Sequence, residues 1–204
     1  MSLECLIGIK FKDFVIMATD MSCLQSIMVH KGDADKMQKL SSHLLMAVSG
    51  ESGDTTQFSE YIEKNVQLYK MRNGYELPPS AAVHFTRNTL ATHLRSREPY
   101  MVNLLLGGYD PDQQTAELYY MDYLAASIPV NYYAFGYGGW FTLSVMDREY
   151  RPDMSEEEAY GLLVKCTAEI KRRFLANLPK FRVRCVNKDG IKDMKNIVAD
   201  GEPA

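Results

Sequence analysis

Short apolar runs bounded by polar turns open this chain, and their alternation with helical stretches limits its fold more than any other feature. Leu6-Ile7-Gly8-Ile9 and Val15-Ile16-Met17-Ala18 read as two strands joined across Lys10-Phe11-Lys12-Asp13. Residues 36–40 and 44–49 continue the pattern, with Lys39-Leu40-Ser41-Ser42-His43 supplying the hairpin between them. Phe58, Tyr61, Ile62, Val66 and Tyr69 then recur at helical spacing, and Gly74 ends that helix just past its basic last turn, Lys70 and Arg72. Pro78-Pro79-Ser80 opens a second helix that presents Ala82, Phe85, Thr89, Leu90 and Leu94 on one face and is stopped by Pro99.

Strands resume over 102–109, 118–122 and 130–135, with Asp110-Pro111-Asp112 as the first intervening turn. A short helix is predicted from Trp140 to about Asp147. Ser155 and Glu158 then have the spacing of a capping box, with Glu156 and Glu157 loading the positive end of the helix dipole. Leu162, Leu163, Cys166, Ile170 and Phe174 line the face of that helix until Asn177 and Pro179. The last strands are residues 181–186 and Ile191 onward, turning at Lys188-Asp189-Gly190. Strands, two helices, strands, two helices, strands: this order places mostly antiparallel sheets in the middle and helix pairs outside, an α+β sandwich. One domain over residues 1–197 with a tail at 198–204 is expected.

Composition removes several function classes. The 204 residues carry a net charge of −3 and no recurrent basic block, which argues against a nucleic-acid surface. Cys5, Cys23, Cys166 and Cys185 have neither C-x-x-C spacing nor a nearby histidine, so they read as reduced thiols and not as a zinc site. The start Met1-Ser2-Leu3-Glu4 lacks a basic region, so no signal peptide is expected. Residues 123–146 are uncharged and long enough to span a bilayer, but Pro129, Asn131, Gly136, Gly138 and Gly139 break them into strand, turn and helix. No membrane association and no cofactor are expected.

Asp20 and Lys36 stand sixteen residues apart, and sixteen residues before Asp20 stands Glu4. The element order, the strand end Ala18-Thr19-Asp20, Lys36, and Gly50 after Met46-Ala47-Val48-Ser49 resemble the β-subunits of the 20S proteasome over essentially the whole chain. Three longer segments carry the resemblance more specifically: residues 64–77, Tyr119-Tyr120-Met121-Asp122-Tyr123-Leu124-Ala125, and Asn177-Leu178-Pro179. Within the family they are most similar to the non-catalytic member at the fourth β position. The resemblance implies an N-terminal-nucleophile hydrolase fold, an αββα sandwich of two stacked antiparallel sheets between two helix layers.

In catalytic members an exposed N-terminal threonine attacks the peptide carbonyl, and its own amine takes the proton. The α-amine titrates near ~8 when unperturbed, so a lysine that holds it neutral suits proton transfer at neutral pH. By resemblance Asp20 and Lys36 match the family's aspartate and lysine, Gly50 matches the glycine whose N–H stabilises the oxyanion, and Glu4 takes the nucleophile's place. The supporting serine falls on Tyr137, and a later aspartate and serine fall on Phe174 and Asn177. Three residues precede Glu4, so no propeptide is expected. The resemblance therefore implies no catalytic residue, only the vestigial positions Glu4, Asp20, Lys36 and Gly50.

Each feature also has a plainer reading. Asp20 and Lys36 make a partly buried ion pair that fixes strand packing, and Gly50 meets a backbone need at a strand-to-helix turn. The alternative is an active hydrolase using Ser2 or Cys5. Ser2 lies about 6–7 Å before the required position on a strand, and Cys5, one residue late, points to the opposite face. None of His30, His43, His84 and His93 suggests a triad, and His93 reads as a satisfied structural residue.

Thirteen tyrosines and twelve methionines are abundant for this length; core packing explains many of them, and both types also favour interfaces. Tyr119, Tyr120, Tyr123, Tyr132 and Tyr133, with the helical stretches 58–72 and 80–97, are candidate subunit contacts. The partners implied by resemblance are the third and fifth β positions of the same ring, α-ring subunits, and β-subunits of the opposite ring. Cytoplasm and nucleus are the expected compartments.

Overall fold

The structure, a computed structural model, describes residues 3–25 and 28–198. Its strands in chain order are β1 (Leu6–Lys10), β2 (Phe14–Asp20), β3 (Cys23–Gln25), β4 (Met28–Lys31), β5 (Met37–Ser41) and β6 (Leu44–Gly50). Helices α1 (Ser52–Asn73) and α2 (Pro79–Leu94) follow, then β7 (Val102–Asp110), β8 (Thr115–Met121), β9 (Ser127–Pro129) and β10 (Tyr132–Phe135). Next come α3 (Tyr137–Glu149) and α4 (Glu156–Arg173), and the described chain closes with β11 (Lys180–Asn187), β12 (Gly190–Asp193) and β13 (Ile197–Val198).

One sheet runs β10-β1-β2-β11-β12, with β13 also on β11, and the other runs β5-β6-β7-β8-β9. Every pairing is antiparallel. Strand periodicity sorts their side chains into separate apolar layers. Ile7, Ile9, Ile16, Ala18, Val183 and Cys185 pack against Leu162, Leu163, Cys166 and Ile170 of α4 and Val145 and Met146 of α3. The alternate positions Leu6, Val15, Met17 and Val186 meet Leu45, Ala47, Leu105 and Leu118 between the sheets. Leu44, Met46, Val48, Leu104 and Leu106 face away from that layer, toward Phe58, Ile62 and Val66 of α1 and Ala82, Val83 and Leu90 of α2. Central strands buried on both faces need apolar residues at successive positions, hence the short uninterrupted runs. The result is the expected αββα sandwich.

Local signals hold at most helix ends. Gly74 adopts φ 79° and returns its N–H to the Lys70 carbonyl, as a left-handed cap does. Ser155 and Glu158 form both halves of the capping box, at 3.3 and 2.9 Å.

Four expectations are corrected. α2 ends at Leu94, five residues before Pro99. α3 begins at Tyr137 and not at Trp140, because Gly138 and Gly139 pack tightly against Cys5 and Ala134 instead of breaking the helix. α4 stops at Arg173, so Phe174 caps its end, while its ring still packs on the same apolar layer as Leu162, Leu163, Cys166 and Ile170. The strand from Ile191 is interrupted after Asp193, and Ile197–Val198 then pairs with Phe181 and Lys180. Val198, assigned to the tail, is thus in a strand, and the rest of 198–204 lies outside the described residues. The β3–β4 hairpin was not anticipated.

A filled pocket at the mouth of the sandwich

Both sheets end near one another where β2 and β6 finish, and the four positions singled out above converge there. Asp20, the last residue of β2, is wholly buried. Its carboxylate accepts Lys36 Nζ at 2.9 Å on each oxygen, the Cys5 N–H at 2.8 Å and the Ser22 N–H at 3.1 Å. Lys36 lies one residue before β5, its side chain only 9% exposed. It donates also to the Ser22 carbonyl at 2.8 Å and meets Glu4 Oε1 at 3.1 Å. Three partners match the three donors of an ammonium.

Glu4 stands two residues before β1, next to the buried Cys5, so its side chain is delivered to this point by strand pairing. Its second oxygen, Oε2, accepts the Gly50 N–H at 3.3 Å. One carboxylate therefore occupies both the lysine and the amide that the family resemblance would assign to nucleophile activation and oxyanion binding. Gly50 has a backbone reason as well. Its φ is 150°, and a Cβ there would lie 2.0 Å from the Met101 carbonyl oxygen.

The electrostatics are strained by design of the contacts: two carboxylates share one ammonium. Burial pushes the Asp20 carboxyl above its ordinary value, and the Lys36 charge and the Cys5 N–H only partly oppose it, while Glu4 adds repulsion. Two clefts flank the centre. One of about 360 Å³ is lined by Glu4, Lys36, Gln38, Val48, Thr55 and Ser59. The other, about 680 Å³, lies beyond Gly50 among Ser49, Asn103, Tyr120, Tyr133, Phe135 and Trp140.

The remaining candidates fall away from this centre. Cys5 is fully buried on the helix side of its sheet, and burial, then the Asp20 charge, push its thiol well up. A thiol so placed is a core residue, as its one-residue offset predicts. Ser2 lies outside the described residues. Tyr137 and Phe174 do not rebuild a polar support: their rings stand 6.4 Å apart, and Tyr137 also meets Trp140 at 6.1 Å. Asn177 is exposed. His93 hydrogen-bonds the Thr89 carbonyl at 2.9 Å, which satisfies it within α2. Tyr120 and Tyr133 pack with Phe135, and Tyr132 donates to Asp147, which leaves Tyr123 as the exposed member of the tyrosine group. Among the described residues no group of His, Cys, Asp and Glu could hold a metal, and no helix is long and apolar enough to cross a membrane.

Sequence reasoning missed a second ionic cluster. Arg184 on β11 projects between the sheets at their edge, donating to Asp35 at 2.7 Å, to Asp193 at 2.6 Å and to the Met37 carbonyl at 2.7 Å. Arg182 joins Asp35, and Lys39 meets Asp193 at 3.0 Å. The available signal was an arginine two residues before Val186, on the face that otherwise supplies the inter-sheet core.

Comparison with known proteins agrees with this architecture. The family model described as "Proteasome subunit" matches residues 4–186. The chain is 51% identical over 191 residues to proteasome subunit beta type-2-A of Arabidopsis thaliana, covering 94% of this chain and 93% of the relative. It is 47% identical over 193 residues to a probable proteasome subunit beta type-4 of Neurospora crassa, covering 95% of each. Against proteasome subunit beta type-4 of Saccharomyces cerevisiae it is 43% identical over 197 residues, 97% of this chain and 100% of that one.

Proposed function

The chain belongs to the proteasome subunit family, and from that premise we propose that it is a non-catalytic, structural β-subunit of the 20S core. The observation that carries this reading is the Glu4 carboxylate, seated on Lys36 Nζ and the Gly50 N–H. Acyl transfer at this centre requires a hydroxyl or thiol beside a free amine. Glu4 supplies neither, because its nitrogen is in a peptide bond and both its oxygens are engaged.

In this role the subunit forms part of the β-ring wall and sets the spacing of the proteolytic chamber, while threonine-bearing neighbours cut peptides. Its place is the fourth β position, between the third and fifth, against α-ring subunits and the opposite β-ring. Cytoplasm and nucleus are the compartments, with no nucleic acid, membrane or cofactor involved. Exposed apolar side chains support the need for protein partners: Tyr61, Leu68 and Met71 on α1, Trp140 on α3, and Met28 and Val29 on β4. Interfaces of such an assembly each bury upward of ~1,000 Å².

Affinity capture of the tagged chain from its own cells, followed by native mass measurement, tests the assignment. It predicts recovery with α- and β-type subunits in a fixed stoichiometry. A chain recovered as a free monomer contradicts it.

A further inference from the structure

We propose that Lys36 Nζ and the Gly50 N–H form a carboxylate-binding site that the chain fills with its own Glu4. A free monocarboxylate such as formate or acetate takes that place once the side chain is shortened. The proposal rests on the non-catalytic reading only in taking Glu4 as the permanent occupant.

The geometry is that of a ligand in a site, with a different donor for each oxygen. Oε1 meets the ammonium at 3.1 Å and Oε2 accepts the amide at 3.3 Å. Both donors are held independently of Glu4. Lys36 is anchored by Asp20 and the Ser22 carbonyl, and Gly50 is fixed by its pairing with Val102. Removing the occupant therefore leaves an ammonium and an N–H still aimed at one point. The cleft of about 360 Å³ alongside contains Glu4 and Lys36, with Asp35, Glu60, Glu63 and Lys64 also on its wall, so a small anion has a route in from solvent past an acidic rim. Donors held in place before binding keep a preformed anion site.

On the same geometry the unaltered chain is expected to ignore free anions. Glu4 is tethered two residues from the strand start at Leu6, so its effective concentration at the site far exceeds that of dissolved acetate. While Glu4 remains, its own carboxylate holds both donors and repels a second anion. The site takes one carboxylate, and the chain provides it.

The test uses the full chain with Glu4→Ala, Glu4→Gln and the pair Glu4→Ala/Lys36→Met, melted in sodium chloride, formate and acetate at equal ionic strength. Glu4→Ala is expected to melt below the unaltered chain and to regain stability in formate and acetate but not chloride. The unaltered chain and the double variant are expected to show no such anion preference. Folding of Glu4→Ala only in acetate supports the site equally. A Glu4→Ala chain that folds and responds alike to all three anions overturns it. If Glu4→Ala folds in none of them, Gly50 amide exchange in Glu4→Gln decides. Exchange about tenfold faster than in the unaltered chain, against an unchanged Ser49, supports Glu4 as the charged ligand, and unchanged exchange overturns it. Capture of assembled partners does not depend on these readings, so the site and the subunit assignment fail separately.

Discussion

Two ionic clusters lie at the sandwich edge, and they are built on opposite plans. Around Lys36, two carboxylates surround one ammonium, and Asp20 is completely enclosed. Around Arg184, charges of both signs alternate, and Asp35 and Asp193 reach solvent. The consequence is visible in their acid–base chemistry. Burial, reinforced by Glu4, drives the Asp20 carboxyl upward. Burial also pushes on Asp35, but its hydrogen bond from Arg184, the Met37 N–H and the neighbouring charges outweigh it and hold that carboxyl low. Asp193 is held low chiefly by its hydrogen bond from Arg184. One cluster is a staple between sheets. The other gathers two carboxylates on one buried ammonium.

Removing the most enclosed partner has the largest expected effect. Asp20→Ala strands the Cys5 and Ser22 amides and leaves Lys36 with Glu4 as its one carboxylate in this cluster, at a cost of about 3–5 kcal/mol by denaturant unfolding. Arg184→Met opens the staple but leaves its two carboxylates partly hydrated, so the cost falls near the low end, about 3 kcal/mol. Gly50→Ala forces a Cβ into the Met101 carbonyl and costs about 1–3 kcal/mol. A loss at Asp20 smaller than at Arg184 would reverse the ranking of the two regions.

Acid titration sharpens the contrast through sign. Asp20 binds its proton more tightly folded than unfolded, so its contribution is full below its unfolded value of ~3.9 and is lost as pH rises through the folded one. Asp35 and Asp193 behave inversely, stabilising above ~3.9 and losing that contribution as pH falls through their lowered values. Unfolding free energies from pH 7 to 3 should therefore lose part of their acid-side decline in Arg184→Met, while Asp20→Asn makes that decline steeper. The smallest effect is expected at Glu76. Burial pushes it up, but Lys70 and Ser42 hold it down to about 2. Glu76→Gln should flatten stability between about pH 4.5 and 2 by less than ~1 kcal/mol, since the pair is partly exposed.

What the sequence disclosed follows the same division. Doubly buried strands and the Ser155–Glu158 box were legible because periodicity and capping are local. The β3–β4 hairpin was not, since Met28 to Lys31 is exposed at every position and carries no alternation. Glu4, Asp20, Lys36 and Gly50 were picked out by the family resemblance, whose offsets along the chain they match. That Glu4 binds the Gly50 amide depends on how β6 meets β1's start, 46 residues apart, and no spacing encodes it. Arg184 likewise finds Asp35 149 residues away. Contacts between distant segments belong to packing and not to motif.

Most depends on Glu4, which Lys36 and the Gly50 N–H hold and which offers no attacking hydroxyl or thiol. Treating the intact assembled complex with a peptide electrophile that captures N-terminal hydroxyls and thiols, then measuring each chain's intact mass, tests this most directly. The prediction is an unchanged mass for this chain. A covalent adduct on it, mapped to Ser2 or Cys5, would contradict the account.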